Sequence, residues 1–355
     1  MILVTGGAGF IGSALIRQLL NDPGISVLNV DKLAYAGSRL NLSEVEDLPR
    51  YHFVQLDICE RPDLEAVFQQ FQPSQVMHLA AQSHVDRSID APGDFIHSNI
   101  VGSYQLLDCA LGYYRSLKTA QQDQFRFLHV STDEVYGSLN PQAPAFREGD
   151  AYQPNSPYAA SKAASDHLAL AWQRTYGLPV ILSNCTNNYG PRQFPEKLIP
   201  VVILKALGGE PIPVYGRGDN IRDWLHVEDH VRALQLILQQ GHIGERYNVG
   251  GRCEVSNLDL VERICAILDR LRPLEHGRQH RALVEFVRDR PGHDQRYAMD
   301  TGKLQTQLGW QPQYDFDSGL EQTVQWYLQH LDWCQQVSGS SRAGQRLGLL
   351  NPSDR

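Results

Sequence analysis

Short apolar runs recur through the first half of the chain, and each stops at a polar or glycine-rich break. Residues 1–5 (MILVT) make the first run, and Gly6-Gly7-Ala8-Gly9-Phe10-Ile11-Gly12 follows at once. Over 13–20, Ala14, Leu15, Leu19 and Leu20 are apolar while Arg17 and Gln18 are polar, a helical spacing. This start predicts strand, glycine turn, helix. Residues 26–30 predict a second strand ending at Asp31, and 51–56 a third ending at Asp57-Ile58. A helix over 64–71 precedes a fourth strand over 75–79. A fifth, over 125–130, runs into Ser131-Thr132-Asp133-Glu134.

Strands alternating with helices predict an α/β fold with a doubly wound, Rossmann-type parallel sheet. Its ligand belongs at the carboxyl ends of the strands. Ser156 and Pro157 signal the start of a helix reaching 176, and Gly177 with Pro179 ends it. A sixth strand covers 180–183. From about Asn187, prolines and glycines crowd together, which suits loops and short elements wrapping a ligand. Helices over 227–238 and 257–271 and a strand over 246–249 follow. The expected organisation is a dinucleotide-binding domain over 1–186, to which about 222–250 returns. A smaller mixed α/β substrate-binding domain lies mainly within 187–330. The small, polar tail over 338–355 is expected to be partly disordered.

Composition narrows the function. Hydrophobic residues make up 42% and charged residues 20% of the 355, which is globular rather than disordered or coiled-coil. A net charge of -8 disfavours a nucleic-acid partner but leaves room for a small anionic substrate held by a few local cations. No apolar run approaches the roughly 18 residues of a membrane span. The start of the chain lacks signal-peptide features, so a cytoplasmic protein is expected. The six cysteines are scattered without a C-x-x-C, which argues against zinc or a disulfide framework. His78 and His84 have no partner at metal-ligand spacing, and no metal is expected.

Three patterns carry chemistry. Gly6, Gly9 and Gly12 bend a strand into a helix whose N-terminal amides suit a pyrophosphate. Asp31, closing the second strand, suits the adenosine ribose hydroxyls and favours NAD over NADP. Tyr158 and Lys162 stand four apart on one helix face, so phenol and ammonium share a space. Lys162 and an oxidised nicotinamide should both lower the tyrosine pKa from about 10. Asp133 and Glu134 are adjacent at a strand end. One could act as acid and the other as base, provided one stays protonated and the other ionised. A dehydrogenase or 4-epimerase needs only the Tyr/Lys pair; elimination of water needs the second pair as well. A non-catalytic NAD-sensing protein would need neither.

The glycine spacing and Tyr-x-x-x-Lys resemble short-chain dehydrogenases/reductases. Longer segments are similar to the extended family of dTDP-glucose 4,6-dehydratases: TGGAGFIGS (5–13), DKLAYAG (31–37), HLAAQSHVDRSI (78–89), STDEVYG (131–137), SPYAASK (156–162), NNYGPRQFPEKLIP (187–200), RDWLHVEDH (222–230) and VRDRPGHDQRY (287–297). They span residue 1 to about 330. The resemblance implies conversion of dTDP-glucose to dTDP-4-keto-6-deoxyglucose with a recycled NAD. In that reaction Tyr158 is the C4-hydroxyl base, Glu134 the C5 base and Asp133 the acid for the C6 hydroxyl. Thr132 lies near O4.

By the same resemblance the NAD contacts include Phe10, Ile11, Asp31, Lys32, Leu33 and Ala34. Asp57, Ile58, Leu79, Ala80 and Ala81 belong with them, as do Ser98, Lys162 and Asn188. The substrate positions include Ser83, Asn187, Lys197 and Leu198, then Pro213, Val214, Tyr215, Arg222 and Asn257. Asp289, Arg290, Pro291, Gly292, His293 and Tyr297 complete them, with Arg222 a candidate for a bidentate pyrophosphate contact. A homodimer is implied through the Tyr158 helix and one near 94–115. Two positions depart from the family pattern: Gln82 replaces a usual Glu, and Arg192 stands where an aromatic is expected.

Overall fold

A computed structural model describes residues 1–339. Seven parallel strands form the main sheet: β1 (Ile2–Thr5), β2 (Val27–Asp31), β3 (Tyr51–Gln55), β4 (Gln75–His78), β5 (Arg126–Thr132), β6 (Val180–Cys185) and β10 (Arg246–Val249). Their order, β10-β6-β5-β4-β1-β2-β3, reverses direction at β1. The crevice between β1 and β4 is therefore where a ligand settles. The predicted fold class is the one observed.

The sheet is buried on both faces because helices cover each of them. Side chains alternate along β1: Val4 faces a core with Leu15, Ile16, Val231 and Leu234. Leu3 faces a second core with Leu64, Phe68, Leu106 and Leu107. The first core joins helix Phe10–Leu20 to helix Val227–Gln240, so chain far downstream packs on the first strands. β10 likewise returns to pair with β6, Arg246 opposite Leu182.

Two small sheets stand beyond the strand ends. One contains β7 (Asn187–Tyr189), β9 (Ile221–His226) and β11 (Glu254–Ser256); the other pairs β8 (Ile212–Tyr215) with β12 (Val284–Val287). Helices Leu198–Leu207, Asn257–Leu271 and Phe316–Gln329 pack against them around Tyr189, Val202, Trp224, Ile264 and Leu320.

Several bounds move. β5 reaches Thr132 and β6 reaches Cys185, because parallel pairing of Ser131 with Asn184 and Thr132 with Cys185 carries both strands past their apolar runs. The first helix starts at Phe10, at the glycine turn itself. β7 is a short element within the stretch from 187, formed because its three residues pair with Trp224, Leu225 and His226. The C-terminal tail reading begins at Ser338, the last residue of helix Leu331–Ser338, and its remainder from 340 lies outside the described residues. Among the described residues no helix is long and apolar enough to cross a membrane.

Candidate active site

The crevice is built first by glycines. Gly6 has φ +73°, and a Cβ there would stand 2.6 Å from the Ala80 nitrogen on the neighbouring strand end. A Cβ on Gly12 would stand 2.2 Å from the Gly6 carbonyl oxygen. Only glycines let the helix begin this close to β1 and β4. Its first amides open on a cleft lined by Gly9, Phe10, Ile11, Asp31, Lys32 and Ala34. Asp57, Ile58, Leu79, Ala80, Ala81 and Ser98 continue the lining.

Asp31 is held in place by backbone. Ala8 N–H donates to its Oδ2 at 2.9 Å and Leu33 N–H to its Oδ1 at 2.8 Å. Burial pushes this carboxyl above the ordinary range, and the two amides oppose that. Lys32 is tied to Asp57 Oδ2 and Ser98 Oγ, each at 3.0 Å. Leu33 does not line the cleft; its left-handed backbone (φ 56°) serves Asp31. A cradle that a Cβ would fill, a fixed carboxylate and apolar walls at Ile58 and Leu79 fit an adenine dinucleotide.

Tyr158, Lys162, Thr132, Asp133 and Glu134 line the deep end of the same cleft. Ser156 accepts from Ala159 N–H, capping helix Pro157–Tyr176, which carries Tyr158 and Lys162 one turn apart. Lys162 Nζ donates to the Val130 carbonyl at 2.8 Å. Burial raises the Tyr158 phenol well above its usual pKa, Glu134 and Cys185 raise it further, and a hydrogen bond with Thr132 opposes them. The Lys162 bond to Val130 uses one of its three ammonium donors.

β5 ends in a single turn of 3-10 helix, Asp133–Tyr136, capped by Thr132. The Thr132 hydroxyl accepts from Glu134 N–H at 3.3 Å and donates to Asp133 Oδ1 at 3.2 Å. Asp133 Oδ2 is buried with no partner. Burial, then the charges of Glu134 and Asp223, push Asp133 well above the carboxylate range. Burial also raises Glu134, but Arg290, Arg222 and Lys197 pull it back. The two neighbours thus differ in kind: one is favoured as a neutral acid, the other is surrounded by cations.

Glu134 also lines an adjoining cavity, which shares Ser83, Asn187, Asn188 and Lys197 with the cleft. Leu198, Pro213, Val214, Tyr215 and Asn257 line it from the small sheets and their helices. Arg222, Arg290, His293 and Tyr297 supply its polar wall. Asp289, Pro291 and Gly292 do not reach it. Asp289 Oδ1 holds His293 Nδ1 at 2.7 Å, and Gly292, at φ +64°, passes close to the Asn155 carbonyl.

Arg222 is tied into that wall by carbonyls. Nη1 donates to Ile221 O at 2.7 Å and Nη2 to Asp294 O at 2.9 Å, while the guanidinium lies 4.2 Å over the Tyr297 ring. These bonds use two of the five guanidinium N–H donors and leave three. Arg290 Nη1 pairs with Asp86 Oδ1 at 2.7 Å, and its buried Nε has no partner.

Gln82 lines the cofactor cleft. Arg192 lines neither cavity; it pairs with Glu44 at 2.6 Å and lies over Trp326. His78 is bound to Thr5 and Ser103, and burial holds its pKa well below the usual value. No group of three metal-ligating side chains occurs among the described residues. Sequence reading passed over Tyr35, Asp86, Phe194 and Glu196, which line one or both cavities. The available signal was a charge inside two of the quoted segments.

The family model described as GDP-mannose 4,6 dehydratase matches residues 3–323. A probable dTDP-glucose 4,6-dehydratase of Sinorhizobium fredii is 56% identical over 349 residues, covering 98% of this chain and 99% of that protein. The dTDP-glucose 4,6-dehydratase 1 of Escherichia coli K12 is 53% identical over 348 residues, covering 96% of each. Among solved structures, a dTDP-glucose 4,6-dehydratase from Bacillus anthracis in complex with NAD has a TM-score of 0.83 at 39% identity, covering 95% of this chain and 99% of that one. The Streptomyces venezuelae enzyme DesIV, with NAD and TYD bound, has a TM-score of 0.85 at 43% identity with the same coverage.

Proposed function

The chain belongs to the dTDP-glucose 4,6-dehydratase family, and from that premise we propose how its own residues divide the reaction. It is an NAD-dependent lyase that converts dTDP-glucose to dTDP-4-keto-6-deoxyglucose and water. The residue roles below are our assignment.

Bound NAD supplies a hydride acceptor for C4, the hydride later delivered to C6, and a positive charge near the phenol. Tyr158 takes the C4 hydroxyl proton, and Thr132 hydrogen-bonds the sugar near O4. With C4 a ketone, the C5 proton becomes acidic, and Glu134 removes it. Asp133 gives its proton to the departing C6 hydroxyl, which leaves as water. Glu134 then returns a proton to C5. Lys162, one helical turn after Tyr158, favours the phenolate and would contact the cofactor. The observation that carries this reading is the split between two adjacent carboxyls: Asp133 is buried beside like charges, and Glu134 is opposed by three cations. A 4-epimerase has no use for that pair.

Lys197, Arg222 and Arg290, which line one cavity, hold the diphosphate. Asp31 accepts the adenosine ribose hydroxyls. The domain division follows the same logic: residues 1–186 with the return over about 222–250 hold NAD, and 187–330 mainly holds the nucleotide sugar. A cytoplasmic homodimer completes the proposal. Ile96 (54% exposed), Tyr104 (39%) and Tyr176 (46%) leave large apolar side chains on the helical segments implied in pairing. A monomer mass by light scattering would remove that part.

The test uses purified protein with dTDP-glucose and no added NAD. The 4-keto product is followed by its alkaline absorbance and by the mass loss of one water. Water loss without net cofactor reduction supports the assignment. No reaction, repeated with added NAD, refutes it.

A further inference from the structure

Three segments distant in sequence meet at Glu196, which lines both cavities. The Tyr35 hydroxyl donates to Glu196 Oε1 at 2.7 Å. Arg87 Nε donates to Glu196 Oε2 at 3.1 Å. The Arg87 guanidinium also lies 3.7 Å over the Tyr35 ring, whose edge meets Phe194 at 5.7 Å. The Glu196 side chain is only 6% exposed, so both bonds are shielded from water.

Each segment has another duty. Tyr35 belongs to the loop that leaves Asp31, and Ala34, Tyr35, Ala36 and Gly37 all line the dinucleotide cleft. That loop is pinned at its far end, where Ser38 N–H donates to the Ala8 carbonyl of the glycine turn at 3.0 Å. Arg87 sits on the short helix Val85–Asp90, next to the Asp86 that pairs with Arg290. Glu196 lines both cavities and immediately precedes Lys197, whose amine donates to Ser83 O at 2.9 Å. The chemistry assigned above needs none of Tyr35, Arg87 or Glu196.

We propose that Glu196 is a positioning residue that straps the loop after Asp31 across the bound dinucleotide and links cofactor release to occupancy of the nucleotide-sugar cavity. It acts through Tyr35 on one side and through Lys197 on the other. A cofactor that returns to its starting state each cycle has no reason to leave, and a strap tightened from the substrate side keeps it in place while the sugar is present. This rests on the NAD site proposed above.

The experiment loads the full chain with a fluorescent ethenoadenine analogue of NAD and chases it with excess NAD, with and without dTDP. Tyr35→Phe and Glu196→Gln should each release the analogue about ten-fold faster or more, the scale of one buried hydrogen bond to a charged group. Added dTDP should slow release from the wild type and leave Glu196→Gln unaffected. Release unchanged in both variants, or a dTDP effect that persists in Glu196→Gln, overturns the strap. Tyr35→Phe removes one hydroxyl and guards against misreading a folding defect, which a shared melting temperature without cofactor checks. A wild-type chain freed of its nucleotide that then takes up neither the analogue nor NAD overturns the cofactor site itself, a result distinct from failure of the strap.

Discussion

The Thr132 hydroxyl donates to Asp133 Oδ1 at 3.2 Å and leaves Oδ2 of the same carboxyl buried and unpartnered. One oxygen is oriented by the protein, and the other keeps its hydrogen-bonding capacity for a ligand. That is the arrangement a proton donor needs. Asp133→Asn should therefore lower turnover by about two to four orders of magnitude, the scale of acid catalysis. Oxidation at C4 should survive, seen as reduced nicotinamide absorbance building up with substrate. Near-normal turnover would take Asp133 out of the acid role.

The same buried carboxyl has a consequence for stability. Its pKa in the fold is raised, so folding favours the protonated form. The stabilisation from keeping it neutral is present at low pH and is lost as pH rises through the raised value. Asparagine cannot ionise. The melting temperature of Asp133→Asn, relative to wild type, should climb between acid and alkaline buffers; a constant difference across that range would contradict the protonated assignment.

Tyr158 sits one helical turn before Lys162, and its phenol is raised by burial and by Glu134. Tyr158→Phe keeps the ring and removes the base. Reduced nicotinamide should then fail to form on adding dTDP-glucose. Its rapid appearance in a stopped-flow trace would refute the base assignment.

Glu134 must be ionised to take the C5 proton. Burial raises its pKa above the usual 4.5, and Arg290, Arg222 and Lys197 oppose the rise. Turnover should fall as pH drops through that raised value. Removing one cation with Arg290→Gln should let the pKa rise further and move the acidic limb of kcat to higher pH. A limb that stays put, or moves down, would show that another group controls it.

Asp31 receives two backbone amides, from Ala8 and Leu33, and lines the cleft beside the glycine turn. Asp31→Ala should purify with less NAD than wild type and need added cofactor for turnover. Equal NAD content on release with acid would remove its ribose role.

The parallel strands and the first turn were legible because they rest on short-range rules. Apolar runs mark strands covered on both faces, and glycines mark a backbone that must pass close to its neighbour. Tyr158 and Lys162 were legible because a helix fixes their spacing. Partnerships across the fold were not. Arg222 donates to the carbonyls of Ile221 and Asp294, and Arg290 finds Asp86 on another segment; no local pattern announces either. The helical stretch Pro92–Val101, π-helical over Ile96–Val101, buries Phe95, Ser98 and Asn99, two of them polar. Its buried Asn99 is satisfied by Gln82 and Ser161 rather than by apolar packing. Hydrogen bonds of this kind let polar residues inside and blur the periodicity that marks a helix.

The pairing of β10 with β6 bears on the order of synthesis. Residues 1–186 emerge from the ribosome first and hold every other strand of the large sheet. Until residue 249 is made, β6 is an open edge with unpaired amides and carbonyls, able to recruit strands from other chains. A fragment cut at 186 should inherit that edge permanently and self-associate. Chain made late thus completes the sheet and the core begun by chain made early, and a cut at 186 divides both.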